Sequence, residues 1–325
     1  MTGNGKKLLA GAGLLSAGLA AMAAVSHGVT RELVSIAVDR ECPRDITAGA
    51  RKRFTGSTEN LAFLQAAEAA AIRLKNRRPE TAVLTAEDGT RLVGHWLPCP
   101  APKRLIVAMH GWRSSWSVSF GMIADFFHDS GCSVLYAEQR GQGLSGGDHM
   151  GLGALERYDC RDWANWLAVR FPELPIYLAG ISMGASTVLM ASDLDLPHRV
   201  KGIIADCGFT SPEAIGRHVV EKNLHLSYRL RAGAADSLCR RKNQAGIRGC
   251  SAPDALRNSR IPVLLIHGAD DSFVPVSMTY ENYRACSGPK ELLIIPGANH
   301  AMSYYLDRPR YEDMLRRFWN RHDRP

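Results

Sequence analysis

The segment Gly180-Ile181-Ser182-Met183-Gly184 sets a serine between two glycines, each two positions away. In a tight strand-to-helix turn side chains at those positions collide, so glycine there leaves the serine Oγ projecting and able to attack a carbonyl carbon. A hydroxyl is a weak nucleophile at neutral pH and needs a base to take its proton and a carboxylate to hold that base. His300, in Pro296-Gly297-Ala298-Asn299-His300, is the candidate base. Asp270 and Asp271 in Ile266-His267-Gly268-Ala269-Asp270-Asp271 are candidate carboxylates, and Asp206, after an earlier apolar run, is a third. His110-Gly111-Trp112 follows another apolar run. There the main-chain amide of Trp112 can join that of Met183 as an oxyanion hole for a tetrahedral intermediate. The Trp112 side chain either shapes an acyl pocket or packs.

The elements that must position these residues are strands. Leu105–Met109, Cys132–Ala137, Ile176–Ala179, Val200–Ala205, Val263–Ile266 and Leu292–Ile295 are apolar runs, the pattern of parallel strands buried on both faces. Helix-length segments, among them Gly121–Asp129, Ala154–Arg170 and Ser277–Cys286, lie between them. Ala82–Glu87 and Thr90–Leu97, joined through Asp88-Gly89, read as an antiparallel pair. The alternation predicts an α/β fold: a mostly parallel central sheet flanked by helices. The chemistry-bearing residues all fall at strand ends, in the order Ser, Asp, His that α/β-hydrolases use. His110 and His267 also end strands, but within glycine turns, and read as hydrogen-bonded packing. His95, His149, His218 and His225 have no constellation around them.

Over roughly residues 80 to 320 the chain resembles the α/β-hydrolase superfamily and, within it, the serine aminopeptidase-like bacterial hydrolases. The resemblance is carried by His110-Gly111, by Glu138-Gln139-Arg140-Gly141-Gln142-Gly143-Leu144-Ser145, by the Ser182 turn, by Asp206-Cys207-Gly208-Phe209-Thr210-Ser211, by the Asp271 loop and by His300. Gln142 departs from it, since relatives often carry histidine there. The resemblance implies hydrolysis of an ester, thioester or amide without metal or cofactor. It also favours Asp271 as the acid, because Asp271-Ser272-Phe273-Val274-Pro275 matches the Asp-x-x-Val-Pro arrangement of the family. Acyl transfer to an acceptor other than water uses the same three residues and is the alternative reading. A non-catalytic binding protein of the same fold is a weaker one, since it has no reason to keep all three.

Residues 209–260 separate two core strands by far more than a connection needs and are expected to form a helical cap. That makes 81–208 and 261–325 the two parts of the core. Basic residues outnumber acids in the insertion, with Arg240, Arg241 and Lys242 consecutive, which reads either as attraction of an acidic substrate or anionic surface or as a solvated face. Residues 31–80 read as a linker and a docking helix over Glu59–Arg78. Lys6 and Lys7 precede an uncharged stretch at residues 8–25, so residues 1–30 are expected to form a membrane anchor or a signal peptide, with an Ala-rich helix packed on the domain as the third reading. The expected location is a membrane-anchored, extracytoplasmic domain, with secretion as the alternative. The net charge of +8 accompanies no nucleic-acid-binding motif, so a small acyl substrate is the expected partner. The eight cysteines lack the paired spacings of metal sites; Cys239 and Cys250 are a candidate disulfide if the domain is exported.

Overall fold

The computed structural model describes residues 23–41 and 60–323. Eight strands form one sheet: β1 (Glu80–Thr85), β2 (Arg91–Leu97), β3 (Arg104–Met109), β4 (Cys132–Glu138), β5 (Ile176–Ile181), β6 (Val200–Asp206), β7 (Val263–Gly268) and β8 (Lys290–Ile295). Their order is β1-β2-β4-β3-β5-β6-β7-β8. β2 runs antiparallel to β1 and β4, and the remaining pairs are parallel. This is the α/β-hydrolase architecture that the alternation of apolar runs predicted.

β3 is buried throughout. Its side chains alternate between two cores, as pleating requires. Leu105, Val107 and Met109 join Trp163, Leu167, Val188 and Leu256 on one face. Ile106 and Ala108 join Phe127, Tyr136, Phe318 and Trp319 on the other. Continuous apolar runs are therefore needed wherever both faces are covered, and the edge strand β1, with burial on one face only, shows no such run.

The register fixes where the carboxyl ends of the strands fall. Met109 lies beside Gly180, Ile181 beside Asp206 and Asp206 beside Ile266. The turns after β3, β5, β6 and β7 thus open at one edge of the sheet, where crossover connections leave space for a ligand.

The insertion leaves and rejoins the core at one place, with the Ala252 amide donating to the Thr210 carbonyl at 2.7 Å. It comprises helix Pro212–His218, a π-helical turn Val219–Asn223 and helix Ala232–Asn243. The last helix of the 209–260 stretch, Ala252–Asn258, packs on the sheet core through Ala252, Ala255 and Leu256. Residues 23–38 form a helix. Its last two turns, which the sequence reading placed in a linker, bury Val34 and Val38 against Leu238, Cys239 and Ile247 of the cap. The second helix, Leu61–Asn76, starts at Asn60, whose side chain accepts from the Phe63 amide. Cys239 and Cys250 are free thiols, with Cys250 Sγ 3.2 Å from Met190 Sδ, so the candidate disulfide is not formed. Among the described residues no helix is long and apolar enough to cross a membrane. Most of the apolar stretch at residues 8–25 lies outside them.

Candidate active site

Ser182 stands between β5 and the helix Met183–Met190 with φ 57° and ψ −119°, a left-handed backbone that a serine adopts only under constraint. The close approach of strand and helix explains both glycines. A Cβ on Gly180 would strike the Gly184 carbonyl, and one on Gly184 would strike the Met109 carbonyl. The Ser182 amide donates to Asp206 O at 2.8 Å, tying the turn to β6.

His300 comes from the loop after β8, and its Nε2 lies 2.8 Å from Ser182 Oγ. Its Nδ1 lies 2.7 Å from Asp271 Oδ2. A carboxylate accepts, so Nδ1 carries the proton and Nε2 is left to take one from the serine hydroxyl. Asn299 anchors the loop: its Oδ1 accepts from the amides of His300 at 2.7 Å and Ser272 at 3.1 Å. Phe273 meets the His300 ring edge-on, with centroids 5.0 Å apart.

The Asp271 carboxylate is fully enclosed. Oδ1 accepts from the amides of Phe273 and Val274 at 2.9 and 2.8 Å. Oδ2 faces both His300 and, at 3.1 Å, Nε2 of His267. Burial alone would raise this carboxyl's pKa, but the His300 charge and the hydrogen bonds from both imidazoles hold it well below the usual carboxylate range. Burial alone would likewise lower the pKa of His300, yet the Asp271 charge and hydrogen bond, with Asp206 farther off, raise it above the ordinary histidine value.

His267 was read from the sequence as packing. It is fully buried. Its Nε2 points at Asp271 and at Val274 O, 2.8 Å away, both acceptors, so Nε2 bears the proton; Nδ1 accepts from Thr279 Oγ1 at 2.6 Å. It therefore holds the same carboxylate oxygen that faces His300. The His267-x-x-x-Asp271 spacing across a turn was the one signal of this contact in the sequence.

Asp270 is exposed, and no side-chain contact with His300 is found for it. Asp206 is buried but engaged elsewhere, accepting from Ser303 Oγ and Tyr311 OH at 3.2 Å each, and burial pushes its pKa up. His110 keeps its structural reading. It is buried, burial lowers its pKa, its Nδ1 donates to Gly111 O at 2.8 Å, and its Nε2 accepts from the Gln139 amide at 3.1 Å. These bonds shape the turn beside the nucleophile, where a Cβ on Gly111 would lie 3.4 Å from Ser182 Cβ. Trp112 and Met183, the expected oxyanion donors, line one cavity together with Ser182. Cys207 Sγ, Asp271 and His300 offer ligand atoms within 4.8 Å of one another. Burial keeps the Cys207 thiol protonated, and the two other groups are already bonded to each other.

The basic residues of the insertion do not gather at this site. Arg240 pairs with Asp236 at 2.9 Å and Lys242 with Asp39 at 2.7 Å. Arg231 is the one basic residue of the insertion that lines the cavity over Ser182, whose other walls are mainly apolar.

A serine aminopeptidase family model matches residues 100–246. YqkD of Bacillus subtilis, described as uncharacterized, is 30% identical over 203 residues, 59% of this chain and 63% of that protein. A monoacylglycerol lipase of Mycolicibacterium smegmatis is 26% identical over 251 residues, covering 65% of this chain and 86% of the lipase. A solved esterase of Pyrococcus furiosus superposes with a TM-score of 0.61 at 22% identity, covering 77% of this chain and 94% of the esterase.

Proposed function

We propose, from the premise that this chain is a hydrolase of the α/β-hydrolase superfamily, that it cleaves carboxylic esters through an acyl-enzyme intermediate on Ser182. One observation carries the proposal: the unbroken line from Ser182 Oγ through His300 to Asp271, with contacts of 2.8 and 2.7 Å. The monoacylglycerol lipase and esterase relatives support an ester as the bond attacked.

In this reading His300 Nε2 takes the Ser182 proton as Oγ bonds to the carbonyl carbon, and Asp271 stabilises the imidazolium that forms. The amides of Trp112 and Met183 receive the developing negative oxygen. The imidazolium then gives its proton to the departing alkoxide, leaving the acyl group on Ser182. Water enters, loses a proton to His300, and releases the acid by the same steps in reverse order. Hydrolysis of p-nitrophenyl butyrate tests the reading. Ser182→Ala is expected to lower kcat about 10⁶-fold, the scale of losing a triad nucleophile. A folded variant that keeps the wild-type rate contradicts it.

Residues 8–25, on the ground of their sequence alone, are proposed to hold the protein at a membrane. The full-length protein is then expected in the membrane fraction, and recovery of a mature secreted chain cut near Ala23 contradicts an anchor.

A further inference from the structure

The helix at 23–38 stands outside the sheet and outside residues 100–246, which the family model matches, yet it lines the cavity at the nucleophile. Thr30, Leu33, Val34 and Ala37 line the same cavity as Ser182. Their spacing, i, i+3, i+4 and i+7, puts them on one face of the helix. Across the cavity stand Ile215, Gly216, Val219 and Val220 of the cap. Its volume is about 110 Å³. Arg231 is the one ionic residue among its described walls, and that side chain's Nη1 donates to Ser227 O at 2.8 Å.

The helix is fixed at its carboxyl end by the turn that borders the nucleophile. Trp112 Nε1 donates to Ala37 O at 2.8 Å. The Arg113 guanidinium donates to Ile36 O at 2.7 Å and to Asp39 O at 2.6 Å, where unpaired carbonyls end the helix. The Met150 amide donates to Val38 O at 2.6 Å, and Lys242 of the cap pairs with Asp39. Three separate parts of the chain thus hold one helix end, which is more than a linker crossing the surface would need.

We infer that the 23–38 helix is a specificity element: it forms one wall of an acyl-chain site and selects esters whose acyl group is a longer hydrocarbon chain. The inference rests on the hydrolase reading for the word ester, but the site itself is defined by the walls. A mainly apolar cavity opening on Ser182 rewards each buried methylene by up to about fourfold in binding. Its polar side chains are few, chiefly Thr30, Tyr228 and Arg231, so most of the wall offers a polar acyl group no hydrogen bond.

The test uses the full chain and p-nitrophenyl acetate, butyrate and octanoate. Wild type is expected to show kcat/KM rising at least about tenfold from acetate to octanoate. Val34→Trp fills the cavity from the helix side. Gly216→Leu fills it from the cap side, where a Cβ meets nothing within 4 Å and helix propensity improves. Each is expected to lower the octanoate-to-acetate ratio about tenfold or more. If Val34→Trp fails to fold by circular dichroism, Ala37→Leu on the same face takes its place. A flat wild-type profile overturns the inference, as does a folded helix variant with the wild-type ratio while Gly216→Leu lowers it. Calorimetric binding of decanoate to Ser182→Ala separates this inference from the hydrolase reading. Binding that Val34→Trp weakens, with no ester turned over by wild type, upholds the site and sinks the reading. Ester turnover with decanoate binding unaffected by Val34→Trp does the opposite.

Discussion

Around Asp271 each oxygen has assigned donors, Oδ1 two main-chain amides and Oδ2 two imidazoles, whereas the wall facing Ser182 from Thr30 to Ala37 and across to Gly216 meets its cavity almost wholly with hydrocarbon. The first region is held by short directional contacts and tolerates little displacement. The second is held by packing and is anchored at the carboxyl end of the 23–38 helix, through Trp112, Arg113, Met150 and Lys242. Changes in the first should therefore alter rate for every substrate, and changes in the second should alter which substrate is preferred.

The largest expected effect that breaks this contrast or sharpens it lies at the carboxylate. Asp271→Asn should lower kcat about 10⁴-fold, because an amide favours the wrong imidazole tautomer of His300. Steady-state kinetics on short and long esters should show the same loss on both. Asp206→Asn should instead lower the melting midpoint, through its bonds to Ser303 and Tyr311, with far less loss of rate. A severe loss at Asp206 with Asp271→Asn near wild type would move the acid to β6.

His267→Leu comes next. Removing one hydrogen bond to a charged carboxylate should cost about 10- to 100-fold in kcat with KM little changed. A change in KM for long esters alone would place His267 with the cavity and not with the carboxylate.

A smaller effect is read from pH. Protonated His300 cannot accept the Ser182 proton, so activity must rise as pH climbs through its pKa. That pKa stands above the ordinary 6.5 because Asp271 outweighs burial. The acid limb of kcat/KM should accordingly have its midpoint above 6.5, and Asp271→Asn should move it down. A wild-type midpoint below 6.5 would mean that burial prevails.

The two regions also differed in how far the sequence revealed them. Ser182 and His300 sit at glycine turns after apolar strands, and such turns have few ways to fold, so residue types and spacing brought both to one sheet edge; among Asp206, Asp270 and Asp271 it was the family resemblance that favoured Asp271. Strand periodicity sufficed for the sheet because burial on both faces forces unbroken apolar runs. The cavity wall has no motif. Thr30, Leu33, Val34 and Ala37 do repeat at helical spacing, but the uncharged stretch at residues 8–25 drew the reading toward an anchor, and contact with the cap at Leu238 joins residues two hundred positions apart. His267 was undervalued for a related reason: a buried histidine at a strand end is usually packing, and only its reach to Asp271 distinguishes it.

The central claim, that Ser182 is the nucleophile, is tested most directly by reaction with a fluorophosphonate followed by peptide mass spectrometry. The account expects one stoichiometric adduct on the peptide bearing Ser182, none on folded Ser182→Ala, and strongly slowed labelling when His300 is replaced by Ala. An adduct on another residue, or a folded wild-type protein that stays unlabelled, would contradict it.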